Sequence, residues 1–370
     1  IVPGETLLFL DEIQKSEDVV HSLWFFKEDY PELHVIAAGS LLEFVLKDLS
    51  SFGVGRVSSL FVYPMSFDEF LTATGQEGLL RTKRNSSPTN PLPEAFYNRL
   101  VEAFRSYMLV GGMPEAVATY TETGSYRYSS DIVNEIIQGY QDDFAKYGAK
   151  ANPLLLRQTL ISVAHQAGAK FVYSRVEGQY RSAEVKVALE MLKDAGLIIP
   201  TYHTDANGVP LGAEINERVV KYLIHDTGVL LGILGIDDDI DDSIKEMMVA
   251  DSINLVDKGH VAEMMAGLEL IKYSSPQKRH QLYYWQNMNK GTCAEVDYVI
   301  ARSGSIVPIE VKSGVKGSMS SMYSLMRNPQ KHIEMGIRCS LENFGTFESP
   351  DGKKIDIIPL YAISNLFAEK

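Results

Sequence analysis

Two uninterrupted apolar runs, each closing on polar residues, constrain the fold more than any other feature. Leu7-Leu8-Phe9-Leu10 runs straight into Asp11-Glu12, and His34-Val35-Ile36-Ala37-Ala38 ends at Gly39-Ser40. Neither run alternates apolar with polar residues, so both faces of each strand are expected to be covered, as in a parallel sheet flanked by helices. Between them, Val19, Val20, Leu23, Trp24 and Phe26 recur at near-helical spacing until Pro31. Strand, helix and strand predict a parallel βαβ start. Residues 57–62, just before Pro64, predict a third strand. Ser66 followed by Glu69 predicts a capping box that opens a helix.

The remaining pattern divides further. Residues 81–93 carry Asn85-Ser86-Ser87-Pro88 and two more prolines, which predicts a loop. From Glu94 to about Tyr147 the pattern is helical, broken at Gly111-Gly112-Met113-Pro114. Helices over 154–167 and 183–195, the second capped by Ser182, precede a strand over 197–202. That order predicts a small winged-helix unit. Strands are expected over 219–224, 281–285, 295–301, 306–311 and 354–358, with a hairpin about Ser303-Gly304-Ser305 and helices over 227–234 and 259–272. A chain of 370 residues has room for several such units.

Charge limits what the chain can bind. It carries 35 Lys and Arg against 48 Asp and Glu, a net charge of -13, which excludes reliance on broad phosphate neutralisation but not a local basic groove. Cys293 and Cys339 have neither disulfide nor metal-ligand spacing, so a reducing, cytoplasmic setting is expected. No apolar run is long enough to span a bilayer. The acidic run Asp237-Asp238-Asp239-Ile240-Asp241-Asp242 lacks the spacing and glycine of a calcium loop and predicts a solvated loop. His165, His225 and His260 have no neighbouring ligands in sequence. Trp24 and Trp285 are expected in the core or at unit contacts.

An acid at a strand end can hold a magnesium–water shell, and the next acid can orient the attacking water. Asp11 and Glu12 have that placement, Ser40 ends the neighbouring strand, and Arg56 follows in Gly53-Val54-Gly55-Arg56. A GxxxxGK[ST] phosphate loop occurs nowhere in the sequence. The motifs Leu7-Leu8-Phe9-Leu10-Asp11-Glu12-Ile13-Gln14, Ala37-Ala38-Gly39-Ser40-Leu41-Leu42-Glu43-Phe44, Val54-Gly55-Arg56-Val57 and Tyr63-Pro64-Met65-Ser66-Phe67-Asp68-Glu69-Phe70 resemble those of a prokaryotic AAA+-related ATPase family with a C-terminal domain called DUF4143. So do Gly111-Gly112-Met113-Pro114-Glu115, Tyr140-Gln141-Asp142-Asp143-Phe144-Ala145-Lys146-Tyr147, Lys170-Phe171-Val172-Tyr173 and Lys221-Tyr222-Leu223-Ile224-His225-Asp226-Thr227-Gly228. The resemblance implies ATP and Mg2+ as cofactors. It makes Asp11 the magnesium-coordinating acid, Glu12 the water-activating acid, Ser40 the first sensor and Arg56 the family's arginine. Gly53 stands where the family often has proline. The family's phosphate loop precedes the position of Ile1, so the chain is expected to be a fragment, inactive without that loop.

A second constellation lies near the C-terminus. Glu295-Val296-Asp297 and Ile309-Glu310-Val311-Lys312 fall on adjacent strands, with Glu310 and Lys312 on one face. Glu263, on the preceding helix, can add a carboxylate. Such acids can hold Mg2+ while Lys312 steadies an activated water. The order resembles the PD-(D/E)xK restriction-endonuclease-like fold. Glu310 and Lys312 can equally form a structural ion pair. Lys272, Lys278, Arg279, His280, Lys312, Lys316, Arg327 and Lys331 are the candidate DNA-facing residues, and Arg175, Arg181 and Lys186 of the winged unit lie among Glu177, Glu184 and Glu190.

The fold class is therefore α/β: a truncated P-loop, AAA+-like parallel sheet (1–75), a helical extension (76–150), a winged-helix unit (151–205) and an α/β restriction-endonuclease-like domain (206–370). The leading reading is an ATP-binding and ATP-hydrolysing protein in its full-length form, with DNA or a regulatory protein as candidate partner and no membrane. The alternatives are a magnesium-dependent DNA endonuclease regulated by nucleotide, and a catalytically silent nucleic-acid- or protein-binding module.

Overall fold

The computed structural model describes residues 1–39, 56–145, 152–235, 242, 258–287, 294–314 and 317–367. Ser40, Gly53, Lys316, Cys293, Lys146, Tyr147 and most of the acidic run at 237–242 lie outside the described residues.

The N-terminal runs form strands β1 (Leu7–Leu10) and β2 (His34–Ala37), joined by helix α1 (Glu17–Asp29). They pair in parallel with Leu7 opposite His34 and Leu10 opposite Ala37. Ser16 opens α1 by accepting from the Val19 N–H at 3.4 Å. Helix α1 buries Val20 and Leu23 with Ile13 in a small core of their own. Among the described residues one face stays open: Leu7 and Phe9 are 56% and 57% exposed, and Ile36 is exposed on β2. One helix shields one face, and among the described residues no layer lies on the other. Residues 57–62 belong to no strand or ladder. Phe61 instead donates its N–H to the Pro276 carbonyl at 2.8 Å. Extended propensity alone does not make a strand without a neighbour to pair with.

A helical layer follows: α2 (Phe67–Ala73), α3 (Glu77–Arg84), α4 (Glu94–Val110), α5 (Pro114–Thr123) and α6 (Tyr126–Phe144). The Ser66–Glu69 capping box is formed as expected. Helix α3 replaces the first residues of the expected 81–93 loop. The Gly111-Gly112 break is a close approach of backbones. Met65 donates its N–H to the Gly112 carbonyl at 2.7 Å, and a Cβ on Gly112 would lie 2.3 Å from the Met65 carbonyl oxygen. Asp226 fastens the same turn, accepting from the Gly112 N–H at 2.6 Å and from the Val229 N–H at 3.2 Å.

Helices α7 (Pro153–His165) and α8 (Ser182–Asp194) precede the antiparallel pair β3 (Ile198–Thr204) and β4 (Ile215–Ile224). Ser182 is the first helical residue rather than the cap. Arg181 precedes it, donating its N–H to Glu184 Oε2 at 2.7 Å. Helix α9 (Thr227–Ile233) and helix α10 (Lys258–Lys272) then lead to β5 (Leu282–Gln286) and β6 (Glu295–Val296). These two join the earlier pair in a four-stranded sheet ordered β4-β3-β5-β6, so pairing crosses the expected 205/206 boundary twice. The expected strand over 295–301 is split at Asp297. Strand β7 (Tyr298–Arg302) enters a second sheet with β8 (Ser305–Val311), β9 (Met335–Ser340), β10 (Gly345–Glu348) and β11 (Lys354–Pro359), and helix α11 (Ser320–Arg327) lies between β8 and β9. The β7–β8 turn has left-handed Ser303 and Gly304, as a tight hairpin needs. Strands β8, β9 and β11 are parallel and β7 and β10 are antiparallel edges. This is a mixed α/β architecture with parallel sheet elements.

One apolar core runs from Phe67 on α2 to Leu366 in the C-terminal segment. A buried polar knot ties the same regions: Lys83 is ion-paired with Asp68 and donates to Ser364 Oγ at 2.6 Å. No described helix is long and apolar enough to cross a membrane.

Candidate functional site

At the N-terminal end, Asp11 and Glu12 sit at the carboxyl edge of β1. The β2 end is stitched to them. Ala38 donates its N–H to the Leu10 carbonyl at 2.8 Å, and Ile13 donates its N–H to the Ala38 carbonyl at 3.1 Å. Glu12 is left-handed (φ 51°), so the chain turns sharply between strand and helix. Its N–H donates to Asp11 Oδ1 at 3.0 Å, and Gln14 donates its side-chain amide to Glu12 Oε2. The Asp11 carboxylate is solvent-exposed. An exposed oxygen donor at a strand end suits a hard cation. Arg56 does not join this edge. It donates to Glu28 Oε1 from Nε at 3.0 Å and stacks on Trp24 at 4.1 Å. Both partners lie in the second half of α1, which runs back from the Asp11–Glu12 edge, so Arg56 sits toward the opposite end of the strands.

At the C-terminal end the structure brings Glu263, Asp297, Glu310 and Lys312 together. The cause is the split at Asp297. The chain leaves one sheet at β6 and enters the other at β7, leaving Asp297 in the gap, where Oδ2 accepts the Val311 N–H at 2.7 Å. Glu310 precedes Val311 on β8, and Lys312 Nζ donates to Glu310 Oε1 at 2.6 Å. Glu263 comes from α10, whose backbone is held by the Tyr298 hydroxyl donating to the Glu263 carbonyl at 2.8 Å.

A fifth residue dominates the cluster. Lys221, on β4, donates to Glu263 Oε1 at 2.8 Å and to Glu295 Oε1 at 2.5 Å. Its ammonium is buried and lies 4.9 Å above the Tyr284 ring. Two strong carboxylate contacts outweigh burial and raise the Lys221 pKa. Burial pushes Glu263 up to about 8 against the pull of Lys221, with Asp297 adding repulsion. Burial, then Asp297, pushes Glu310 up to about 7. Asp297 is also raised by burial. Among the described residues no group of three or more His, Cys, Asp or Glu is arranged to hold a metal ion. Of the expected metal set, Glu263 is ion-paired with Lys221 and Glu310 with Lys312, while Asp297 accepts a backbone N–H.

Lys221 escaped the sequence reading, yet a signal was present. It is the one charge in Val219-Val220-Lys221-Tyr222-Leu223-Ile224, and period two places it with Val219 and Leu223 on a single face. A lone lysine on a buried strand face demands a partner.

Four of the candidate DNA-facing residues make contacts within the chain. Lys272 donates to the Met65 carbonyl at 3.0 Å and the Tyr107 hydroxyl at 2.6 Å. Lys331 donates to Asn207 Oδ1 at 2.9 Å, Arg327 pairs with Asp351, and Arg279 lies over Phe61. Arg175, Arg181 and Lys186 are exposed, as are Glu177, Glu184 and Glu190. His225 is buried: its Nδ1 faces the Leu197 carbonyl and its Nε2 faces the Tyr140 hydroxyl, both at 3.1 Å. Trp285 is buried, whereas Trp24 is partly exposed beneath Arg56.

A parallel strand pair ending in two acids, joined through helices to a mixed C-terminal sheet, makes this a mixed α/β chain. Comparison with protein families agrees: residues 1–71 match an AAA domain, 101–240 a domain of unknown function (DUF8612) and 258–363 a domain of unknown function (DUF4143). The N-terminal AAA-domain match and the C-terminal DUF4143 match are the two that the resemblance of the sequence motifs led us to expect. No curated protein matches it. Among solved structures it is similar to the Walker-type ATPase PABY2304 of Pyrococcus abyssi, at 18% identity and a TM-score of 0.40, over 62% of this chain and 63% of that one.

Proposed function

We propose that the full-length protein binds and hydrolyses ATP, with Asp11 holding the magnesium–water shell and Glu12 activating the attacking water. The observation that carries this reading is the paired parallel strand edge with Asp11 and Glu12 at its carboxyl end, where α/β sheets bind ligands. The AAA-domain match over the same residues supports it. Ser40 takes the sensor position and Arg56 an arginine role that requires release from Glu28, or a second subunit. The test is ATP turnover by the full-length protein. Glu12→Gln abolishes it, and unchanged turnover removes Glu12 from the mechanism.

For the C-terminal part, the proposal is a winged-helix unit over 151–205 and an endonuclease-like domain over 206–370, with its five-stranded sheet at 298–359, that does not cut DNA. The Lys221 and Lys312 pairings favour this silent form over a magnesium-dependent nuclease. Its role is to contact nucleic acid or a regulatory protein. Magnesium-dependent DNA cleavage that Asp297→Ala abolishes is the result that would restore the nuclease reading.

A further inference from the structure

We propose that a cavity between residues 61–64, the turn from α8 into β3 and the end of α10 binds a small ligand that combines an apolar ring system, an anionic group and an N–H or O–H donor. The cavity shares no residue with the Asp11–Glu12 edge or with the acids around Lys221.

Its volume is about 650 Å³, within the ~300–1,000 Å³ that accommodates a small organic ligand. Residues from several of the motifs that carry the family resemblance meet on it: Tyr63-Pro64, Met113-Pro114, Tyr140 and His225. Phe61, Pro64, Met113, Ile199 and Ile271 supply apolar walls. The wall at 61–64 is fixed at both ends, by the Phe61 N–H on the Pro276 carbonyl at 2.8 Å and the Met65 N–H on the Gly112 carbonyl at 2.7 Å. The polar groups have defined roles. Only a ring N–H can bond a carbonyl oxygen, so His225 Nδ1, 3.1 Å from the Leu197 carbonyl, carries the proton. Burial lowers the His225 pKa and keeps the ring neutral. Nε2 is then an acceptor and takes the Tyr140 hydroxyl proton at 3.1 Å. The Tyr140 oxygen is left to accept, which calls for a donor on the ligand. Charge sets the other requirement. Lys193 and Arg279 line the cavity against one acid, Asp194, in a chain of net charge -13. Lys193 is ion-paired with Glu190, and the anion is assigned to Arg279. The Arg279 guanidinium lies 5.6 Å from the Phe61 ring centroid and reaches the Lys193 carbonyl at 3.4 Å, a long bond for its planar fork of donors.

The probe is 8-anilinonaphthalene-1-sulfonate, which carries aromatic rings, an amine N–H and a sulfonate and fluoresces in apolar surroundings. N-phenyl-1-naphthylamine is the same molecule without the sulfonate. In titrations of the full chain without nucleotide, one sulfonate probe is expected to bind per chain, about tenfold or more tighter than the neutral amine. Arg279→Met removes that preference and leaves the affinity for the amine unchanged, while Arg279→Lys keeps part of it. Tyr140→Phe weakens both probes by about threefold to tenfold. Arg279 is exposed, so its variants keep the natural thermal transition and carry the test even where Tyr140→Phe unfolds. Three results overturn the inference: equal affinity of the two probes for the natural chain, a preference that survives Arg279→Met, or binding that neither Arg279→Met nor a folded Tyr140→Phe alters. The last would place the probe on another apolar surface, such as the open face of β1 and β2.

Discussion

Glu263 shows how burial and pairing oppose each other at a single carboxyl. Lys221 draws it toward ionisation, but burial and the nearby Asp297 and Glu295 outweigh that pull, and its pKa rises from 4.5 to about 8. A raised carboxyl pKa means that the folded chain binds more protons than the unfolded one. Its contribution to stability is therefore fully present below pH 4.5 and is lost as pH rises through about 8. Glu310, pushed up to about 7, acts in the same direction. Thermal unfolding followed by circular dichroism is expected to show a transition temperature that falls between pH 5 and pH 8, a span on the order of the shifts themselves. Glu263→Gln flattens that fall. A flat profile in the natural chain would show that the carboxyl is ionised throughout. The sequence announced Glu263, Asp297, Glu310 and Lys312 through their spacing. Lys221 and Glu295 went unnoticed as partners because their pairing is made by the sheet and helix arrangement, more than 40 residues apart in the chain for Lys221 and Glu263.

Among elements, the Gly111-Gly112 turn does the most with the least. It ends α4, receives the Met65 N–H and offers its own N–H to Asp226, the residue that caps α9. Gly111 is left-handed (φ 78°), and a Cβ there would meet Asp226 Oδ1 at 2.2 Å. Gly112→Ala forces backbone apart at Met65 and is expected to cost about 1–3 kcal/mol. Urea unfolding reads this as a lower midpoint with an unchanged slope. A midpoint equal to that of the natural chain would mean that the turn relaxes freely. The break in the helical pattern was visible in sequence, but its purpose was not, because Asp226 lies on a distant helix start. Elements with local signals were legible: the Ser66 capping box, the Ser303-Gly304 hairpin and the periodic α8. Strands β9 and β10 and helix α11 were not, since residues such as Arg338, buried on β9 and paired with Glu342, interrupt any apolar pattern. Residues 57–62 showed the reverse, with strand composition and no ladder.

At the scale of the whole molecule, two regions differ in how well they are held. The core from Phe67 to Leu366 is continuous and is tied by the Asp68–Lys83–Ser364 knot. Among the described residues, strands β1 and β2 rest on a core of three buried residues, with Leu7, Phe9 and Ile36 exposed. Amide hydrogen exchange is expected to be fast in β1 and β2 and slow in β3, β4 and β8, because opening the former exposes little new apolar surface. Equal protection in the two regions would contradict that division. The strand edge with Asp11 and Glu12, the acids of the proposed ATP site, thus belongs to the less firmly packed part, while the Lys221 acidic cluster lies in the firm part. The most direct test of the account is ATP binding and single-turnover hydrolysis measured together in the full-length protein. Glu12→Gln is expected to bind ATP but not to cleave it, and Asp11→Asn to lose the magnesium dependence of binding. Hydrolysis by Glu12→Gln at the natural rate would contradict it.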